Sequence, residues 1–312
     1  MGSARVVGDI GAGLTTFVGL LYTAELRLGT QVEDRFRFSA ERETIRQLEG
    51  IYGELVAGRF PERDVNWEAH PVSFTLGFRG GRLARVGRGG AERDEGFDTV
   101  RVQVGGVSAQ EISELAERDA ILEESTRRLL RSPVVLPLID ASRLENDPED
   151  ATRRILARYD RLLATTLEVV GRFLAAEPER RSRTMHPLFV VTKFDRCPLA
   201  TRSALGVPDG DSAAWSADAR TQLGERILAR FFPRTAASLT AGSTRGKLRV
   251  ARPKWYFSSL EVTSGPQGPR VVRRSLAPFG GWEPVYPFEE YRALIEELAE
   301  LAHRLPGPDI GE

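Results

Sequence analysis

The sequence predicts an α/β protein: an open, mostly parallel sheet with helices on both faces. Three observations carry this. Strand-like segments alternate with segments of helical period along the chain, the pattern of a sheet covered by crossover helices. Residues 133–139 and 187–191 are continuous apolar runs, as expected of strands buried on both faces. Residues 71–78 and 99–104 instead alternate apolar with polar side chains, which marks one antiparallel hairpin.

In order, residues 4–7 read as a short buried strand and 15–27 as the first helix. A second helix is expected over 39–57. Ser39 offers its cap, Arg42 and Glu43 lie nearby, and Ile45, Leu48, Ile51, Tyr52 and Leu55 form its apolar face. Gly58 and Pro61 stop it. The hairpin strands enclose a Gly-Arg tract. A long helix over 108–130 opens on a capping box, Ser108 with Glu111. After strand 133–139 come a helix over 148–176, strand 187–191, a polar loop and a helix over 213–232. Residues 235–252 read as a polar, basic segment and 255–257 as the last core strand. A turn-rich insert, 263–284, precedes an amphipathic helix over 288–305. No internal repeat or low-complexity linker interrupts the chain, so 1–312 reads as one domain.

In a parallel sheet the ligand crevice lies beyond the carboxyl ends of the strands. Four segments fall there: the loops after Val7 and Val104, the run Thr192-Lys193-Phe194-Asp195, and Ser258-Ser259. The first contains Gly8, Asp9, Gly11, Gly13, Leu14, Thr15 and Thr16. Its glycines let successive N–H groups curl around an anion at a helix N-terminus. A phosphate loop reads Gly, four residues, Gly, Lys, then Ser or Thr. Gly8, Gly13 and Thr15 fit, but Leu14 stands at the lysine position. On these residues alone the segment is either a phosphate site or a tight strand-to-helix turn.

Composition narrows the classes. Apolar content of 41% and charged content of 28% suit a folded domain. Basic and acidic residues balance at 44 each, so no global charge draws the chain to nucleic acid or an anionic membrane. Cys197 is the single cysteine, and His70, His186 and His303 form no metal or triad pattern. No apolar run approaches the ~20 residues of a membrane span, and no signal peptide is visible. The expected location is cytoplasmic. Asp140, at a strand end, is read as a helix cap or solvated acid rather than a metal ligand.

The order and spacing of these pieces resemble the P-loop GTPases, in particular the Ras-like group. The resemblance implies a three-layer fold on a six-stranded, mostly parallel sheet with one antiparallel strand. Extra material falls near 29–57, 80–97, 196–212 and 233–284. It implies phosphate contacts from Gly8, Asp9, Gly11, Gly13, Leu14, Thr15 and Thr16, with Thr15 as a weak metal ligand. Thr192, Lys193, Asp195, Ser258 and Ser259 match its guanine-specifying loops. Asp195 would accept from the guanine N1–H and exocyclic amine, with the Lys193 stem against the ring. Gln103 and Gly106 stand where the family has the Asp and Gly of its second switch. Phe36, Phe38, Phe60 and Trp67 fall in the region of its first switch, where aromatics suit a partner interface.

The departures bear on function. Leu14 replaces the phosphate-loop lysine and Gln103 the magnesium-anchoring aspartate. No threonine lies between Thr44 and Thr75 to close on the γ-phosphate, and Val107 replaces the water-positioning glutamine. Phosphoryl transfer depends on positioned positive charge. The expectation is therefore a degenerate, pseudo-GTPase-like protein. It would hold GDP or GTP weakly, statically or not at all, without an evident Mg²⁺ anchor, and work through a protein partner such as another GTPase or a second copy of itself. The alternative is an atypical active GTPase whose cation comes from an insert or partner, with Arg59, Arg63, Arg101 and Lys247 as donors. An enzyme of unrelated chemistry on the same sheet is a third class, and no nucleophile–base pair stands out for it.

Overall fold

Ala4 and Val6 face one side of the sheet and Val7 the other, all buried, which places the first strand at the centre. The computed structural model describes residues 2–9, 11–31, 36–61, 71–79, 97–105, 132–176, 184–244, 249–266, 268–276 and 281–304. The expected helix over 108–130, together with Arg63, Trp67, Gly106, Val107 and Lys247, lies outside the described residues.

The strands are β1 (Gly2–Val7), β2 (Phe36–Ala40), β3 (Val72–Arg79), β4 (Phe97–Val104), β5 (Val134–Asp140), β6 (Thr184–Thr192), β7 (Arg249–Val250) and β8 (Lys254–Phe257). They form one sheet in the order β2-β3-β4-β1-β5-β6, with β7 and β8 both paired to β6. β3 is antiparallel to β2 and to β4, whereas the pairings among β4, β1, β5, β6, β7 and β8 are all parallel. One strand thus runs against the others, as expected, but the described sheet has eight strands rather than six. The additions are β2 and the two-residue β7. The pairing of β6 slips by one residue between Thr184↔Arg249 and Leu188↔Lys254, so an extra residue separates β7 from β8.

The helices are α1 (Leu14–Gln31), α2 (Arg42–Val56), α3 (Asp150–Ala176), α4 (Leu199–Leu205), α5 (Ala217–Phe231), α6 (Pro233–Thr244) and α7 (Phe288–Arg304). Residues of α1, α2 and α7 share one buried cluster with the sheet, and residues of α3 and α5 share a second, on its opposite face. These are the three layers. Among the described residues no helix is long and apolar enough to cross a membrane.

Two elements differ from expectation. Ser39 lies in β2, opposite Thr75 of β3, and α2 begins only at Arg42, where Glu41 supplies no side-chain cap. The alternating Phe36 and Phe38 favour a strand. Phe38 stacks on Phe74 at 5.3 Å and meets Tyr22 edge-on at 5.2 Å, which fixes it at the sheet edge rather than on a helix. Within the expected polar segment, α6 forms because its free N–H groups are capped from another helix. The Asp160 carboxylate of α3 accepts from the Arg234 and Thr235 amides at 3.0 and 2.9 Å. The insert before α7 folds as two hairpins, β9 (Val262–Gly265) with β10 (Gly268–Val271) and β11 (Arg273–Ser275) with β12 (Trp282–Pro284). The buried Glu283 of β12 ties this insert to α1 through Arg27, at 3.2 Å.

Close approach of α5 to β8 depends on Gly224. A Cβ there would lie 1.9 Å from Trp255 Cε2, and Trp255 is buried and stacked on Phe189 at 4.5 Å. Overpacking of this kind costs about 1–3 kcal/mol. Gly224→Ala is expected to lower the urea midpoint accordingly, and an unchanged midpoint would show that the interface yields without cost.

Candidate functional site

β1 ends at Val7 and the chain turns at once, the Ala12 amide donating to the Asp9 carbonyl at 2.9 Å. Gly11 and Gly13 have φ of +79° and +81°, the left-handed region that side chains disfavour, so these two glycines make the curl. α1 starts at Leu14, and the Phe17 amide closes its first bond on the Gly13 carbonyl at 2.8 Å. Thr15 and Thr16 are half-buried in the first turn. Leu14 packs against the apolar cluster instead of reaching over the loop. Gly8 lies under Leu138, where a Cβ would make contact at 3.4 Å.

The end of β6 is hydrogen-bonded into this loop. Thr192 is buried, and its hydroxyl donates to the Ala12 carbonyl at 2.7 Å. Lys193 follows at φ +50°, the one non-glycine residue with positive φ among those described. Its ammonium donates to the Gly11 carbonyl and to Asp140 Oδ2, each at 2.7 Å. These contacts hold the strained backbone of Lys193 in place. The end of β8 joins in: the Ser258 amide donates to Val191 at 2.8 Å, and the Phe194 amide donates to the Ser258 carbonyl at 3.0 Å. Three of the four strand-end segments singled out in the sequence are therefore brought together.

Within this cluster the side chains differ in availability. Asp195 is half-exposed at its carboxylate, and partial burial raises its pKa above the ordinary value. Its nearest cation is Arg196 at 3.9 Å, too long for a firm hydrogen bond. Ser258 is buried with its hydroxyl 2.6 Å from that of Tyr291 in α7, while Ser259 stays half-buried beside it. Cys197, close by, is buried and its thiol is pushed up to about 11, so it is no thiolate nucleophile at neutral pH.

At the fourth strand end Gln103 pairs in register with Arg5 of β1 and Ser73 of β3, and its Oε1 is a buried acceptor that no hydrogen bond satisfies among the described residues. Among the described residues, the charged donors that Mg²⁺ favours are lacking or taken at this strand end and beside the loop. Gln103 offers a neutral amide, and the two carboxylates beside the loop are both engaged by cations. Asp140 accepts from Lys193 and from the Ser142 amide and hydroxyl, capping a 3-10 turn at 141–143 as the cap reading foresaw. The Asp9 carboxylate is nearly buried, with Arg158 Nη2 at 3.0 Å and Arg143 Nη1 at 3.4 Å. Among the described residues no cluster of three or more acids, histidines or cysteines forms a metal site.

Arg143 and Arg158 were not found by motif reasoning. A strand-end Asp with Arg three residues on is a faint local signal for Arg143, whereas Arg158 reaches Asp9 only because α3 packs over the loop. A small cavity between loop and helix is lined by Asp9, Ala12, Asp140, Arg143 and Tyr159. Tyr159 closes it by donating to the Leu138 carbonyl.

A central β1 flanked by β4 and β5, a reversed β3, and a glycine loop running from β1 into α1 make this a Ras-like P-loop fold, α/β with a mostly parallel sheet and helices around it. One solved structure to which the chain is similar is the signal recognition particle receptor SRb-GTP/SRX complex from Chaetomium thermophilum. It is 16% identical, with a TM-score of 0.36, over 85% of this chain and 93% of that one. The likeness is weak, and the strand order stands without it. No protein-family model matches the chain, and no curated protein matches its sequence.

Proposed function

We propose that this protein is a catalytically degenerate GTPase-like module that holds a guanine nucleotide between the Gly8–Thr16 loop and Asp195 and acts through contacts with a protein partner. The observation that carries this is the bracing of the two loops. Thr192 and Lys193 donate to the carbonyls of Ala12 and Gly11, which braces the Thr192–Asp195 turn against the Gly8–Thr16 loop, and the Asp195 carboxylate is half-exposed. Fast hydrolysis is not supported by the same residues, since Leu14 is packed away and Gln103 carries no charge.

The test is calorimetric titration with GDP and GTP, with and without magnesium, together with chromatography of any nucleotide released on denaturation. Micromolar binding is expected. Asp195→Ala should weaken it by about 100-fold or more, because two hydrogen bonds to a charged acceptor are lost. Absence of both bound nucleotide and binding heat, or an Asp195→Ala protein that binds equally well, would overturn the reading. Rapid turnover of GTP would favour an active GTPase instead.

A further inference from the structure

We infer that the outer face of α3 is the docking surface for an acidic segment of a partner protein. This rests on the protein-partner half of the reading above and names that partner's chemistry. Arg154, Arg158 and Arg161 are exposed and recur at intervals of four and three residues, so they stand on one face of α3. Seven residues of helix set Arg154 and Arg161 about 10 Å apart along the axis. The fold withholds the acids that would neutralise them. Asp160, the single acid between Asp150 and Glu168, is buried and accepts from the Arg234 and Thr235 amides at 3.0 and 2.9 Å. Asp150 meets Arg153 at 3.1 Å, and Glu168 accepts from the Ser238 hydroxyl at 3.0 Å. The capping bond to Asp160 also brings Arg234, another exposed cation, to the side of α3.

Among the described residues the side chains of Arg154, Arg161 and Arg234 form no ion pair, and Arg158 ties the stripe to the Gly8–Thr16 loop through Asp9 at 3.0 Å. Other surface helices neutralise themselves. On α7, Arg292 pairs with Glu289 and Glu296 and Arg304 with Glu300, and on α2 Arg46 pairs with Glu43. The middle of α3 stays positive. The chemistry of the face favours a protein. A net charge of zero supplies no basic excess for a nucleic-acid backbone. A lipid surface takes up an apolar helix face, whereas the apolar face of α3 is buried, with Leu156, Leu163, Leu167 and Val170 at most 7% exposed. Guanidinium groups take carboxylates through two parallel bonds. Carboxylates two helical turns apart on a partner, about 11 Å, match the stripe.

The experiment titrates the full chain into a fluorescein-labelled helical peptide with Glu at positions i, i+4 and i+7 and reads anisotropy. Vesicles of phosphatidylserine with phosphatidylcholine and a short DNA duplex serve as rival ligands, and GDP calorimetry is run on the same wild-type protein. The wild type should bind the peptide with micromolar affinity that weakens as salt is raised. Arg154→Glu with Arg161→Glu should lose about tenfold or more. Arg42→Glu with Arg46→Glu makes the same charge change at exposed positions of α2, on the opposite face of the sheet, and should lose less than about threefold. Thermal melts check folding; if the α3 reversal melts early, Arg154→Gln with Arg161→Gln replaces it and should lose about threefold or more. No peptide binding by the wild type, an equal loss in the α2 and α3 variants, or tighter binding to the vesicles or the duplex overturns the inference. GDP binding in any of those cases leaves the nucleotide reading intact. Peptide binding through α3 without GDP binding overturns the nucleotide reading and leaves the docking surface assigned.

Discussion

Replacing Glu290 with alanine is expected to remove about 3–5 kcal/mol of stability, the usual cost of stranding one member of a buried ion pair. Glu290 is 2% exposed. It accepts two bonds from Arg220 at 2.8 Å each, one from the Ser212 hydroxyl at 2.6 Å and one from the Phe257 amide at 3.2 Å. Four contacts thus join α5, α7, β8 and the turn before α5, just ahead of Ser258. Without the carboxylate, the Arg220 guanidinium, only 14% exposed, keeps its charge in a dry site. Urea unfolding at neutral pH measures the loss, and a change below about 1 kcal/mol would show that water enters and solvates Arg220. Surface pairs such as Arg304–Glu300 give the contrast: at 3.0 Å, with both side chains more than half exposed, removal should cost between about 0 and 1 kcal/mol.

The second large effect is on binding. On the proposed reading, Lys193→Ala is expected to weaken guanine-nucleotide affinity by about 100-fold or more, with a smaller loss of stability, since its two donated bonds to Gly11 and Asp140 hold the turn at Lys193 against the Gly8–Thr16 loop. The ammonium is one-third exposed, so water replaces part of what the fold loses. The geometry between the loops has no such replacement. Calorimetric titration with GDP reads the effect. Affinity within about threefold of the wild type would mean that the Thr192 bond to Ala12 is sufficient to brace the crevice.

Much of the fold was legible because its signals are local. The apolar runs that became β5 and β6 are buried almost throughout, as continuous hydrophobicity requires. Gly11 and Gly13 adopt the positive φ for which glycine is suited. Ser39 misled because a capping side chain before an apolar period is a helix-start signal, yet aromatic packing of Phe38 on Phe74 outweighed it. Residues 235–252 gave no helical signal because the cap of α6 is Asp160, 75 residues upstream of Thr235.

By itself the chain's order of residues determined the α/β class, the reversed β3 beside β4, and the strand ends at which Gly8–Thr16, Thr192–Asp195 and Ser258–Ser259 lie. These follow from hydrophobic period and from conformational preferences acting over a few residues. Only the tertiary structure decided that the Lys193 ammonium closes on Gly11, that Ser258 turns to Tyr291, and that Arg143 and Arg158 gather at Asp9. Arg158 and Asp9 are 149 residues apart. Such a meeting is set by how α3 packs across the sheet, because ionic contacts acquire direction only when the packed layers fix where each side chain begins.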